Sequence, residues 1–295
     1  MTTEITTVSQ LFSTPYLTVA EFKQAPTAVD VDDLVGGGSA AVNDQELANV
    51  IARASSWIDS ECNQVLGATV DTETFRGRVS RDGMLKVHPR YSPVLEVVSA
   101  SFGSNPQMLS SLDPTTAWIE EESVVFPLTG LASSWLGQIQ FSRVYAPTAQ
   151  QYVSMTYVNG YANALLTASA DTGDMSITVN DATGFIPNQK FMIYDAEFTE
   201  MCVVASSFVP VHGAASIPLV SGLQHDHTAD VNASALPPAV KQAAIYMTSV
   251  ILKARGNGTL VMGTLTPSQF MEANPSAMND YQSALKLLRP YRRIR

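Results

Sequence analysis

Cysteine is nearly absent from this 295-residue sequence. Cys62 and Cys202 stand far apart and no Cys-x-x-Cys occurs, which excludes a disulfide framework. Charge is scarce as well: Asp, Glu, Lys and Arg make up 15% of the residues, against 45% apolar ones. That balance belongs to a globular chain and not a disordered one. So few charges suit a protein that hides much of its surface in an assembly, although a surface rich in Ser and Thr gives the same figure. Basic residues are the scarcer sign, and a net charge of −10 argues against general nucleic-acid binding, which needs Lys and Arg to neutralise phosphates. No apolar run approaches the ~18 residues that span a bilayer, so no membrane partner is expected. The opening MTTEITTVSQLFSTPYL has neither a basic n-region nor an apolar h-region and does not read as a signal peptide. These absences predict a soluble protein, made and used in a reducing cytoplasm.

The motifs of chemistry are missing too. GGGSAA, residues 36–41, lacks the GK[ST] ending of a phosphate loop and reads as a linker. GxSxG does not occur, and Asp30, Asp32 and Asp33 do not have calcium-loop spacing. Glu120, Glu121 and Glu122 are adjacent on a strand-like run, so neighbouring carboxylates point to opposite faces and mark a solvated edge. His225, Asp226 and His227 hold half of the four histidines. On a strand the two rings would share a face and could both touch one ion, but no other histidine is near in sequence. The surroundings read as a polar turn leading into a last strand at 229–234, so exchanging both rings for Asn should cost little. No catalytic residue, metal ligand or cofactor is expected.

What is present is organised by period. In NDQELANVIARASSWIDSECNQVLG, Asn43 and Glu46 have capping-box spacing. Leu47, Val50, Ile51, Ala54, Ile58, Cys62 and Val65 follow at helical steps up to Gly67, which puts Cys62 in the core. LTVAEFKQA suggests a short helix capped by Thr18. From 68 to about 160 the period is two, with strands expected in TFRGRVS, MLKVHP, VLEVVSASFG, WIEEESVVF, GQIQFSRVY and YVSMTYVNG. A second β region follows with five to six short strands, in which Met175, Ile177 and Val179, then Phe191 and Ile193, then Met201 and Val203 alternate with polar residues.

Helix returns in LPPAVKQAAIYMTSVILKARGNG. Its apolar residues leave only a strip of Gln242, Tyr246, Ser249 and Lys253, so it is expected to be buried on more than one side, with Gly256 as its stop. NPSAMNDYQSALKLLRP gives a last helix, capped at Ser276 and stopped by Pro290. The final ten residues, KLLRPYRRIR, hold five of the 17 basic residues and no acid. The other 285 carry 12 basic against 27 acidic residues, a net of −15. A short, mobile cationic end of this kind could grip nucleic acid, but more often docks on an acidic partner surface.

Two segments together carry a resemblance. YVSMTYVNGYAN, with Tyr157, Gly160 and Tyr161, and LPPAVKQAAIYMTSVILKARG, with Pro238, Val240, Lys241, Gln242, Ala243 and Arg255, look like two halves of one pattern. With the YLT…EF opening (Tyr16, Leu17, Thr18) and the SPVLEVVSASFG strand, the chain resembles the head–tail adaptor (connector) proteins of tailed bacteriophages. ASADTGDMSITVNDATGF resembles small β units of phage virion proteins, placed where the family has a short turn.

The resemblance implies an α+β fold: a small helical bundle of the long amphipathic helix and the C-terminal helices, an antiparallel β region, and an inserted sandwich- or barrel-like β module. The expected divisions are an arm and linker at 1–42, a helical adaptor core at 43–67 and 236–295, a β region at 68–163 and the insert at 164–235. It further implies a non-enzymatic virion protein, made in the host bacterial cytoplasm. Its expected form is a dodecameric homo-oligomeric ring in the neck. Its partners would be the portal and a stopper or tail-terminator protein, with genomic DNA passing through without sequence-specific binding. Portal docking is assigned to Arg289, Tyr291, Arg292, Arg293 and Arg295. The alternative is a decoration or baseplate module that binds carbohydrate on Trp118, Trp135 and Tyr194.

Overall fold

The computed structural model describes residues 14–27, 29–80, 83–120, 122–128, 150–254 and 275–293. The strand expected at 137–145, Trp135, Arg255, the stop at Gly256 and Arg295 lie outside them. Helices and antiparallel sheets share the chain, an α+β arrangement. Its contacts divide it into two compact units, one built on Ala68–Gly160 and one on Phe12–Gly67 with Tyr161–Arg295.

The described part of the first unit is β apart from a 3-10 turn at Pro114–Thr116. Strands β1 (Thr69–Arg78), β2 (Met84–Val87), β3 (Val94–Asn105), β4 (Met108–Leu112), β5 (Trp118–Glu120), β6 (Ser123–Pro127) and β7 (Gln150–Asn159) make two antiparallel sheets, ordered β1-β7-β3-β4 and β2-β6-β5. Alternation along β7 buries Val153, Met155 and Tyr157 against Leu85, Val87, Val124 and Phe126. WIEEESVVF, read as one strand, is a hairpin in which Glu120 pairs with Ser123. β5 is its exposed edge, and there Glu120 reaches Lys86 at 2.9 Å. Strand β4 escaped the sequence reading because MLSSL buries only Leu112 and leaves no alternating signal.

Four helices among the described residues open and close the second unit. α1 (Val19–Gln24) has the predicted cap, with both halves of a Thr18/Glu21 capping box formed. α2 (Ala40–Cys62) is offset from its prediction at both ends. It begins a turn earlier, at Ser39, because Asn43 is not a cap but a buried strut: its side chain accepts from Val35 N–H at 2.9 Å and donates to the Asp32 carbonyl. It ends at Asn63, whose left-handed conformation (φ 55°) supplies the turn assigned to Gly67. α3 (Pro238–Ala254) is buried on several sides as expected, although Ser249, read as part of a polar strip, is 2% exposed. α4 (Pro275–Leu288) starts one residue before its supposed cap, and Ser276 instead accepts from Lys253 Nζ at 3.1 Å. Leu47, Val50, Ile51, Ala54, Ile58 and Cys62 of α2 close a core with Val240, Ala243, Met247, Val250, Ala284 and Leu288.

Between α2 and α3 the chain forms β8 (Asn163–Leu165), β9 (Ser176–Val179), β10 (Lys190–Tyr194), β11 (Glu200–Val203), β12 (Ala215–Pro218) and β13 (Asn232–Ser234). A four-stranded sheet β11-β10-β13-β8 and a two-stranded sheet β12-β9 are joined at both edges, by the bridges Val204–Leu219 and Leu166–Val179. The six strands therefore close into a small barrel without a free edge. Its interior is Ala164, Leu166, Ile177, Val179, Phe185, Phe191, Ile193, Cys202, Val204, Ile217, Leu219 and Ala233, with Phe185 and Phe191 edge to face.

The expected alternation holds at Ile177, Val179, Phe191 and Ile193 and fails in β11. There Cys202 and Val204 point inward, while Met201 is 57% exposed. A strand read one residue out of phase exchanges its two faces, and MCVV is apolar enough on both to conceal the error. Met175, just ahead of β9, is likewise exposed.

Candidate functional site: the joint between barrel and helices

Three widely separated sequence blocks meet where the barrel leaves the helices. Ala235 N–H donates to Ala162 O at 2.8 Å, so the chain departs and returns side by side. Beside this pair, Asn232 Nδ2 donates to Asn163 Oδ1 (3.1 Å) and to Ala164 O (3.1 Å). Asn163 Nδ2 in turn donates to the Thr14 and Pro15 carbonyls. Lys241, in the first turn of α3 and 4% exposed, occupies the centre. Its ammonium donates to Glu21 Oε1 of α1 (2.5 Å) and Asn232 Oδ1 of β13 (2.6 Å), and lies 3.7 Å from the centroid of the Tyr194 ring. Burial pulls this ammonium down to about 8, against the opposing attraction of Glu21. Every donor of the lysine has a destination, which is the condition for keeping a charge inside.

Lys241 was read only as part of a family pattern, yet two signals marked it. It falls off the polar strip of its helix, and it puts a cation in a first turn, where the helix dipole opposes one. Both point to a buried carboxylate partner. Glu21 is that partner, and its other oxygen accepts from Thr18 N–H at 2.6 Å.

Tyr16 organises a second node. Its hydroxyl donates to Asp59 Oδ1 and accepts from the Leu66 and Gly67 N–H groups at 2.9 and 3.1 Å. Burial raises the Asp59 carboxyl to about 6, although the Tyr16 hydroxyl and Leu66 N–H pull the other way. Tyr161, whose N–H donates to Leu66 O at 2.8 Å, ties the barrel's departing strand to the same turn.

Three of the residues assigned to docking, Tyr291, Arg292 and Arg293, are anchored to their own chain. After α4 a 3-10 turn, Arg289–Tyr291, returns the chain to the end of α2. Arg292 pairs with Glu61, Arg293 N–H donates to Cys62 O (3.0 Å), and Asn63 Nδ2 donates to Arg293 O (3.0 Å). Tyr291 packs on the helical core, and its carbonyl accepts from Gln64 at 3.4 Å. Arg289 and Lys286 remain exposed. A segment expected to be mobile is thus a strap across a helix end.

The histidine cluster needs the larger correction. His227 is not a residue of an exposed polar turn: its side chain is fully buried. Nδ1 lies 2.9 Å from Asp195 Oδ2 and Nε2 lies 2.9 Å from Glu200 Oε1. Burial works to raise the Glu200 carboxyl, but the Gln224 N–H, the His227 ring and the His225 N–H together hold it below the usual range. Asp226 accepts from the Thr172 N–H and hydroxyl, both at 2.7 Å, and His225 stacks on Phe198 at 5.4 Å. These bonds pin the 222–227 loop across one end of the barrel. Both ring nitrogens of His227 are thus taken up by carboxylate oxygens of the same chain. No group of three or more His, Cys, Asp or Glu able to hold a metal ion occurs among the described residues.

Other candidate chemistry is muted. Burial pushes the Cys62 and Cys202 thiols up to about 12, so neither is a nucleophile. Tyr194, suggested as a stacking platform for sugar, has a ring face occupied by Lys241. An open cavity of about 330 Å³ adjoins the joint, between Gln24 and Pro26 of the α1 side, Gln242 and Ile245 of α3, and Tyr194 and Thr199 of the barrel.

A scan against family models and a search of curated proteins find no match. Among solved structures, one described as "Neck of empty GTA particle computed with C6 symmetry" is similar, with a TM-score of 0.36 and 14% identity, covering 97% of this chain and 94% of that chain. A likeness this loose leaves the role of the chain to be argued from its own residues.

Proposed function

We infer that the chain is a structural protein of a phage-like virion neck, forming a ring between the portal and the stopper or tail terminator through which DNA passes. One observation carries the reading: the hydrogen bond between Ala235 and Ala162. It makes the two halves of the adaptor-like pattern neighbours in space. Tyr157, Gly160 and Tyr161 then lead into Pro238, Val240, Lys241, Gln242 and Ala243, as they would in a chain with only a short turn between them. Residues between are an insert, added where the chain already turned back. The Glu21–Lys241 pair supports the same reading, since it unites the YLT…EF opening with the second half of the pattern.

The charge distribution fits a channel protein. A net of −15 over the first 285 residues keeps DNA from sticking as it passes. The portal-facing patch is Lys286, Arg289 and the ordered strap of Tyr291, Arg292 and Arg293, with Arg295 beyond the described residues. The test is negative-stain microscopy of the purified chain mixed with its portal. A ring with a central hole, stacked on the portal, is expected. A chain that stays monomeric beside an undecorated portal rejects the reading.

A further inference from the structure

Barrel and helices bury two separate apolar cores that share no residue. What lies between them is polar: Asn163, Asn232, Ser234, Glu21 and Lys241, all buried or nearly so. The chain crosses the seam only twice, next to Ala162 and next to Ala235, and those crossings are one hydrogen bond apart. Two adjacent crossings make a hinge axis and not a clamp. The cavity of about 330 Å³ beside the seam is unfilled space into which the barrel can turn. Polar interfaces between separate cores allow relative motion by default.

We propose that the barrel is a hinged arm held in one orientation by a latch, the Lys241 ammonium. Lys241 brings a charge to the seam, binding Glu21 of α1 and, across it, Asn232 and the Tyr194 ring of the barrel. Other links among the described residues are between neutral groups: Asn163 to Thr14 and Pro15, Tyr161 N–H to Leu66 O, Ser234 Oγ to Ala162 O, and the touch of the turn Ala196–Phe198 on α1. A charged hydrogen bond is roughly twice as strong as a neutral one, which makes the Lys241–Asn232 bond stronger than any one of these neutral links. Released, the arm re-aims toward a partner while α2, α3 and α4 keep their packing. The proposal concerns motion within one subunit and does not depend on the neck reading.

Hydrogen exchange followed by mass spectrometry on the full chain tests it. In Lys241→Met, peptides covering 161–166 and 231–237 are expected to exchange on the order of tenfold faster or more, while β10 and the interior of α3 keep wild-type rates. The double variant Glu21→Gln with Lys241→Met leaves no lone buried charge and is expected to show the same local pattern. Unchanged seam peptides in both variants overturn the latch. Acceleration spread evenly over both cores also overturns it, because Lys241 is then an ordinary stability residue. Neither result bears on whether rings form, which imaging decides separately.

Discussion

His227 shows how much a single side chain changes with its surroundings. The ring stands between Asp195 and Glu200 with no exposed atom, and Asn in its place has its donors on a single nitrogen, which cannot take the places of both ring nitrogens. Thermal or urea denaturation of His227→Asn is expected to show a loss of about 2–4 kcal/mol. His225→Asn keeps the N–H that serves Glu200 and gives up only the contact with Phe198, so a change below about 1 kcal/mol is expected. Equal losses from the two variants would contradict the geometry. Asp59 acts in the opposite direction. Its carboxyl rises from 3.8 to about 6 on folding, so its stabilising contribution is full below about 3.8 and is lost as pH rises through 6. Asp59→Asn removes that dependence. Between pH 4 and pH 7 its stability is expected to improve relative to wild type by about 2 kcal/mol, and a constant difference would refute the assignment. Neither environment was legible in the sequence, because a buried polar residue is defined by partners from remote segments. Asp195 and Glu200 precede His227 by more than twenty residues, and Tyr16 precedes Asp59 by more than forty.

At the scale of elements the sequence was more informative, and its errors have a common cause. Helices α1, α3 and α4 and the strands with clean alternation, β7, β9 and β10, lie where the pattern put them. Ends and phases were misread wherever local chemistry had two solutions. Asn43 has the spacing of a cap but is drawn into the helix by Val35 and Asp32, and Asn63 offers the left-handed turn before Gly67 can. In β11 either face of MCVV fits the interior, and barrel closure makes the choice.

The C-terminal strap illustrates the same dependence on context, since five basic residues in ten look mobile until Glu61, Cys62 and Asn63 engage them. Truncation after Leu288 is therefore expected to lower stability by about 1–3 kcal/mol through loss of Tyr291 packing and the Arg293 hydrogen bonds. Arg289→Glu, at an exposed position, is expected to leave the melting temperature unchanged and to weaken binding to the portal. A truncated chain as stable as the full one would show that the strap is not structural.

For the whole molecule, composition limited the possibilities more than any motif did. Few charges, two thiols and no nucleotide or hydrolase signature turned the sequence reading toward structure and assembly. The change from strand to helix was readable as an exchange of period at Pro237 and Pro238. The joint itself was not, because its members, Glu21, Asn163, Asn232 and Lys241, are single polar residues inside apolar runs.

The bond between Ala162 and Ala235 has one more consequence, for the chain as a carrier. A closed excursion that begins and ends at the same point adds little loop entropy to the fold around it, whatever its length. What the helices require of the excursion is its contacts to Lys241, Thr14 and Pro15 and not its length. Another folded domain with neighbouring termini, spliced between these two alanines, would be displayed at the same place on every copy.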